Sequence, residues 1–170
     1  RDRSVSRGLG DVYKRQLLAV IVILAIILTI AIPNVISSLD KSRRDTYVAD
    51  AKKFLSMAKY EIGNKISKPA SGEIVRLNLV CVDNEDLVSD PDGNPYDEEN
   101  SFVAVVRKDD VLVYYVHLMS TGGKRGVYLT QKENLDKDDR ITYVKNNIQP
   151  LTDAQIREVT GVNGSIRVCQ

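Results

Sequence analysis

The sequence predicts an α+β fold in which one long N-terminal helix, about 17–63, packs by its second half against a small antiparallel β-sheet. Three observations predict it. An uncharged apolar run comes first, an amphipathic stripe of helical period follows, and beyond residue 70 apolar residues alternate with a period of two. Residues 1–16 are not expected to form part of the fold. The predicted segments that follow are an apolar helix at 17–39, its amphipathic continuation at 40–66, and a β-rich domain at 70–170.

The apolar run is long enough to cross a membrane. From Gln16 to Leu39, 24 residues carry no charge. As a helix they would extend about 36 Å, against a hydrocarbon core of about 30 Å. A signal-peptide core is shorter, and no clean small-x-small cleavage site follows. The residues alone leave three interpretations open: a signal peptide, a membrane anchor, or a helix that packs against copies of itself. Pro33 predicts a kink, because its ring clashes with the carbonyl of Thr29 and it has no N–H to donate.

The second half of the predicted helix has one apolar face. Its apolar residues recur at spacings of three and four, which is the pattern of an amphipathic helix. They are Val48, Ala51, Leu55, Ala58 and Ile62. Gly63-Asn64 is a stop signal. The stripe is therefore expected to cover the sheet.

The remaining chain is predicted to form short strands separated by turns. The predicted strands are 73–82, 101–107, 111–118, 127–130, 141–144 and an edge strand at 165–169. The first of these segments is either one strand or a strand followed by a turn. Residues 83–88 are expected to form a short helix or a loop. Residues 151–159 are predicted to form a helix with Thr152 as its N-cap.

Charge and composition exclude several functions. Residues 1–16 carry five basic and two acidic side chains, whereas the rest carries 19 basic and 21 acidic ones. The chain beyond residue 16 thus has no basic excess that would favour nucleic-acid binding. No nucleophile, base and acid set is visible, and neither enzymatic activity nor a cofactor is expected.

Two cysteines and one histidine are candidate functional groups. Cys81 and Cys169 have no CxxC spacing, which excludes the usual zinc and redox motifs. In an exported protein they are expected to form a disulfide, and two separate buried thiols are the alternative. His117 lies in an alternating strand and is interpreted as a half-exposed strand residue.

Two further groups are weak candidates for binding. Asp90, Asp92, Asn94 and Asp97 form an oxygen-rich turn that could bind Ca²⁺. Their spacing does not match an EF-hand loop, and a solvated acidic turn is the competing interpretation. The second group is a possible tyrosine patch for a partner, against which half-core, half-surface strand positions are the alternative. Its members are Tyr114, Tyr115 and Tyr128.

The order of apolar anchor, amphipathic stem and sheet resembles the type IV pilins and pseudopilins, the prepilin-type N-terminal methylation family. The resemblance rests on Leu-Leu-Ala-Val-Ile-Val-Ile-Leu-Ala-Ile from Leu17 and on Ala-Ile-Pro ending at Pro33. It covers about 25 residues closely and the whole chain in architecture. The sequence Asp-Pro-Asp-Gly-Asn-Pro-Tyr from Asp90 to Tyr96 also resembles the Asp-Pro-x-Gly-x-Pro-Tyr turn of major pseudopilins.

The chain departs from the family directly before Leu17. In the family a glutamate precedes Leu-Leu, whereas here the residue is Gln16. Alignment also puts Val12 at the first mature position and Asp11 where the glycine of the leader stands. Residues 1–16 resemble translated sequencing-adapter DNA, and we interpret them as a replacement of the true leader. The alternative is the basic n-region of an export signal. A glutamine cannot neutralise a neighbouring N-terminal ammonium as the carboxylate does.

The resemblance implies a structural subunit of a type IV pilus or pseudopilus that serves adhesion, motility, DNA uptake or protein secretion. The subunit would begin as a single-pass protein of the cytoplasmic membrane with its C-terminal domain outside, and end in an extracellular filament. Its implied partners are further copies or related pilins, prepilin peptidase, an assembly platform protein and a cytoplasmic ATPase. The implied assembly core comprises Leu17, Leu18, Val20, Ile21, Leu24, Ile27 and Leu28. The alternative is a membrane-anchored binding or sensor domain that does not polymerise, and an exported enzyme ranks below it.

Overall fold

The computed structural model describes residues 4–82, 87–122, 125–135, 143–144 and 147–169. The chain divides into two compact units, Arg1–Ser42 and Arg43–Gln170. The boundary lies close to the predicted end of the apolar segment at Leu39. Helix α1 spans Ser4–Asn64, and a mostly antiparallel sheet follows it, so the predicted α+β class is confirmed.

Helix α1 begins earlier than predicted. Its first residue is Ser4, whereas the predicted start is Leu17. Extending an existing helix fixes one further residue for each added hydrogen bond, which is easier than nucleation. Lys14, Arg15 and Gln16 are all good helix formers. A segment without an apolar face can therefore continue a helix that the apolar run has started.

The amphipathic half of α1 packs on the sheet as the spacing predicted. All five predicted stripe residues are buried in one cluster with side chains of the sheet: Val48, Ala51, Leu55, Ala58 and Ile62. Tyr47 and Phe54 flank the stripe and are fully buried as well. The buried face is thus wider than a strict three-and-four pattern.

Six strands lie in the described part of the chain. They are β1 (Ile74–Asn78), β2 (Phe102–Lys108), β3 (Val111–Met119), β4 (Gly126–Gln131), β5 (Tyr143–Val144) and β6 (Ile166–Val168). The sheet order is β5-β4-β3-β2-β1-β6, with β6 parallel to β1 and the other neighbours antiparallel. The 3₁₀ turns are Leu79–Cys81 and Lys132–Asn134. Of the predicted segments, positions 83–86 and 141–142 lie outside the described residues.

Both faces of the sheet are covered. One face packs against α1, and the other packs against helix α2 (Asp153–Thr160), whose Ile156 is fully buried with Phe102. Thr152 caps α2 with a capping box, as predicted, and Gly161 ends it in the left-handed conformation. Because β2 is central, Phe102 to Val106 are all buried and do not alternate.

Gly164 allows the turn before β6 to touch the loop before β1. A Cβ atom added to Gly164 would overlap the backbone carbonyl of Gly72. We expect Gly164→Ala to lower the free energy of unfolding by about 1–3 kcal/mol, as overpacking does. Denaturant titration of the full chain in detergent would measure this loss.

Gly63→Ala is the matched control for this substitution. Gly63 lies in the last turn of α1, and an added Cβ would meet no atom within 4 Å. Alanine is favoured over glycine in helices, so this variant should be neutral or slightly stabilising. Equal losses in the two variants would contradict the role given to the contact with Gly72.

Candidate functional site

The candidate site is the apolar half of α1, the segment Gln16–Leu39. Apolar side chains occupy every side of this helical segment. The large ones are between 49% and 67% exposed. The seven predicted assembly residues lie among them: Leu17, Leu18, Val20, Ile21, Leu24, Ile27 and Leu28. Gln16, which stands at the position of the family glutamate, is also exposed. A contiguous apolar surface of this size indicates a lipid or protein contact.

Two polar side chains inside the segment donate hydrogen bonds to backbone carbonyls of the same helix. The Thr29 hydroxyl donates to the Ala25 carbonyl at 2.8 Å, and the Asn34 amide donates to the Ile30 carbonyl at 3.3 Å. Pro33 lies inside α1, and the helix continues without interruption on both sides of this residue. The kink at Pro33 stays a prediction. Thr29 and Asn34 thus each direct a donor to a carbonyl of their own helix instead of to the apolar surface.

This helix is long and apolar enough to span a membrane. Its most apolar window has no buried side chain, unlike the core helix of a soluble protein. Length and composition alone do not distinguish an anchor from a signal sequence.

The oxygen-rich turn is organised around a buried carboxylate. Asp90 is 5% exposed, and its Oδ1 atom accepts hydrogen bonds from the backbone N–H groups of Asp92 (2.9 Å) and Asn94 (2.8 Å). Its Oδ2 atom accepts from the Tyr47 hydroxyl at 2.7 Å. Burial opposes ionisation of Asp90, but hydrogen bonds from Tyr47 and Asn94 help to outweigh it, and the pKa of Asp90 is lowered.

The same turn is tied to α1 by two further contacts. Asp92 pairs with Arg43 of α1 at 3.1 Å and with Arg125 at 3.3 Å. The Tyr96 hydroxyl donates to Asp50 of α1 at 2.6 Å. Burial and the Asp50 carboxylate raise the pKa of Tyr96, so this phenol stays a donor at all ordinary pH values. The turn therefore contacts Arg43, Tyr47 and Asp50, which lie on one face of α1.

The carboxylate groups that a calcium ion would need already have partners in the structure. Asp90 and Asp92 are engaged as described, and both carboxylate oxygens of Asp97 accept hydrogen bonds from Asn100. In the described part of the chain, no group of three or more His, Cys, Asp or Glu side chains is arranged to hold a metal ion. A cation would have to displace Tyr47, Arg43 or Arg125 from its carboxylate. The geometry favours a structural role for the turn.

Tyr47→Phe tests the buried hydrogen bond to Asp90. The substitution removes one donor from a buried carboxylate, and we expect a loss of about 1.5–3 kcal/mol in the free energy of unfolding at pH 7. The pKa of folded Asp90 should rise, because Tyr47 is one cause of its depression. A depressed carboxylate pKa contributes stability that disappears as pH falls through the folded value. Acid unfolding should therefore begin at a higher pH in the variant.

Tyr60→Phe removes the same atom from a tyrosine that is 64% exposed on the same helix. A surface substitution of this kind should change stability by less than about 0.5 kcal/mol. Denaturant titrations at pH 7 and pH 4 would compare the two variants. Equal stabilities for Tyr47→Phe and wild type would show that the hydrogen bond contributes nothing.

Cys81 and Cys169 form a disulfide in the structure, one of the two alternatives left open by the sequence. The bridge joins the turn after β1 to the residue that follows β6. The backbone N–H of Cys169 donates to the Arg76 carbonyl at 3.0 Å, which extends the pairing of β6 with β1. The disulfide thus holds the last strand at the sheet edge.

The other weak candidates lie in the core. His117 is fully buried, so its interpretation as a half-exposed residue is wrong. The error arises because α2 and the segment before it cover the face of the sheet that His117 occupies. The predicted tyrosine patch does not form: Tyr114 packs against the α1 side of the sheet, and Tyr115 and Tyr128 pack on the opposite side.

Sequence reasoning missed the residues that fasten the turn, Arg43, Tyr47 and Arg125. Arg43, Tyr47 and Asp50 recur at spacings of four and three, which identifies one helix face but not what it contacts. Tyr47 and Asp90 are 43 residues apart. Comparison of the chain with protein-family models, curated proteins and solved structures found no match.

Proposed function

We propose that this protein is a structural subunit of a type IV pilus or related pseudopilus, polymerising through the apolar half of α1. The observation that carries the proposal is the 24-residue uncharged segment Gln16–Leu39, whose side chains are exposed in the monomer. Helix α1 continues from this segment into the half that packs on the sheet. One helix that joins an apolar anchor to an α+β unit supports the proposal of a pilin-like subunit.

The physical argument concerns what covers the segment before and after assembly. Before assembly, lipid covers it in the cytoplasmic membrane, with the Arg43–Gln170 unit outside. In the filament, the same side chains contact the apolar segments of other subunits. Lipid tails and leucine side chains are equally apolar, so this exchange changes the hydrophobic free energy little. Assembly therefore depends on how well the helices pack.

The assembly contact is heterologous in this proposal. One subunit presents a different surface from the one that it contacts on its neighbour, and such contacts generate open helical arrays. The implied machinery comprises prepilin peptidase, an assembly platform protein and a cytoplasmic ATPase, as in the family that the chain resembles. Gln16 removes a carboxylate that would pair with an N-terminal ammonium in the apolar core. Gln16→Glu should therefore increase assembly in a chain with a processed N-terminus.

The proposal is tested by comparing Val20→Arg with Val111→Arg. Both valines are exposed, 52% and 63%, but Val20 lies in the apolar segment and Val111 lies at the start of β3. The chain would be produced with a processed leader in a cell that carries pilus machinery. Sheared surface material would be probed with antibodies against the Arg43–Gln170 unit and viewed by electron microscopy.

We expect filaments that contain the wild type and Val111→Arg, but none that contain Val20→Arg. An arginine at Val20 would place a charge among apolar segments with no water to solvate it. If wild type never enters filaments and stays in the membrane, the non-polymerising sensor or binding domain becomes the better interpretation. If Val20→Arg assembles normally, the apolar segment is not the filament core.

A further inference from the structure

The buried histidine lies at an irregularity in the sheet. Strands β3 and β4 pair as Val116 with Thr130 and then as Leu118 with Val127. Between these pairs, β3 supplies one residue, His117, whereas β4 supplies two, Tyr128 and Leu129. This is a β-bulge on β4, and a bulge leaves the ladder locally without its regular hydrogen bonds.

His117 supplies the hydrogen bond that the bulge loses. The backbone N–H of Leu129 donates to His117 Nδ1 at 3.4 Å. Leu129 has a φ of 22°, a value that non-glycine residues rarely adopt. The imidazole therefore replaces a strand carbonyl as acceptor for a strained, buried residue. Because Nδ1 accepts, the proton of the neutral ring must be on Nε2.

The surroundings of the ring oppose its protonation. Phe102 and Tyr128 pack against it at centroid distances of 5.3 and 5.9 Å, and the residue is fully buried. Burial and the Arg76 cation of β1 lower the pKa of His117 to about 4. The Gln149 backbone, from the segment before α2, and the Asp97 carboxylate, from the turn before β2, favour the charged ring but do not outweigh these effects. Nε2 makes no hydrogen bond in the described part of the chain.

We propose that His117 is an acid-sensitive latch on the β4 bulge. The neutral ring accepts the Leu129 N–H and holds β4 against β3. The protonated ring has no acceptor at Nδ1, so two donors face each other and a second cation lies beside Arg76. Protonation therefore releases β4, together with β5, which pairs with β4 and ends the sheet.

The latch predicts a specific pH dependence. When β4 opens, His117 regains an ordinary pKa of about 6.5. Between that value and about 4, the open state binds one proton more than the closed state. The opening equilibrium of β4 should then rise about tenfold for each pH unit lost, and roughly 300-fold across the whole window. Strands β1 and β2, which do not pair with β4, should respond less.

Hydrogen exchange of the full chain in detergent micelles, expressed as protection factors, tests the latch. Wild type should lose protection at Val127 to Gln131 between pH 6.5 and 4. His117→Asn keeps an oxygen acceptor near the Nδ1 position but does not titrate, so its β4 protection should not depend on pH in this range. The same pH dependence in both proteins would overturn the proposal.

A direct measurement on wild type covers the case in which His117→Asn does not fold. The sequence contains a single histidine, so histidine-selective ¹⁵N labelling reports His117 alone. At pH 7 the spectrum should show a neutral ring with its proton on Nε2. The ring should titrate well below pH 6.5, near the pH of about 4 at which the rise in β4 opening levels off. An Nδ1–H tautomer, or titration near pH 6.5 with β4 unchanged, would refute the latch.

Discussion

Replacing both Cys81 and Cys169 with serine is expected to lower the free energy of unfolding by roughly 4–5 kcal/mol. The bridged residues are 88 positions apart, so the disulfide closes a loop that contains most of the sheet. Cross-linking so long a loop removes many conformations from the unfolded chain, and the chain-entropy model gives this magnitude. Denaturant titration of the full chain in detergent, under oxidising conditions, would measure the loss.

Reduced wild type is the control for this pair of substitutions. It carries the native side chains without the cross-link, so it should unfold at nearly the same denaturant concentration as the double serine variant. A double variant much less stable than reduced wild type would show that serine itself is unfavourable at these positions. If oxidised and reduced wild type unfold together, the disulfide does not stabilise the unit.

Removal of the disulfide should also have a local effect on strand β6. Strand β6 pairs with β1 through three residue pairs and lies at the edge of the sheet that the described strands form. Asn78 donates its backbone N–H to Cys169 Sγ at 3.3 Å, so the end of β1 is fastened by the same group. Without the bridge, the amides of Ile166 to Cys169 should exchange faster than those of β2. A short edge strand has too few contacts to stay in place alone.

Local patterns predicted the parts of the fold that depend on near neighbours. Val48 and Ile62 are buried because the helical period places them on one face, and this can be read from the sequence. Thr152 caps α2 because the cap needs only the residues that follow it, and Gln155 completes the box. Such features require no knowledge of distant segments.

The missed features depend on contacts between distant segments. His117 has the alternation of a half-exposed strand residue, yet it is buried because α2 and its preceding segment, more than 30 residues later, cover that face. Asp90 resembles a solvated or metal-binding turn residue because Tyr47, its donor, lies 43 positions earlier. Leu129 gives no sign of a bulge in an otherwise regular strand pattern. One sequence contains no signal that pairs these residues.

The apolar segment is the clearest functional signal, and two lysines in its centre should abolish membrane anchoring. Leu24 and Leu28 lie one helix turn apart and are 52% and 56% exposed. Each lysine at the centre of a membrane helix costs about 2.5–3.5 kcal/mol on the insertion scale. Leu24→Lys with Leu28→Lys should therefore lose about 5–7 kcal/mol of insertion free energy and leave the membrane fraction.

Alkaline extraction of isolated membranes would measure the effect. Wild type should remain with the membranes, whereas the double variant should appear in the supernatant or be degraded. The matched control is Ser56→Lys with Tyr60→Lys, the same spacing on an exposed face of the amphipathic half of α1. This control should stay in the membrane fraction. Retention of the double variant in the apolar segment would place the anchor elsewhere.

Anchoring and assembly can be separated, because a charge near the end of the segment differs from one at its centre. An arginine at Val20 can extend its side chain to the membrane surface, so Val20→Arg should remain in the membrane fraction. In a filament the neighbours of Val20 are other apolar helices, and no aqueous surface is within reach. Val20→Arg should thus be anchored but unassembled, and the Leu24 and Leu28 double variant should be neither. If the protein is only a tethered domain, Val20→Arg and wild type should both be anchored, and neither should appear in filaments.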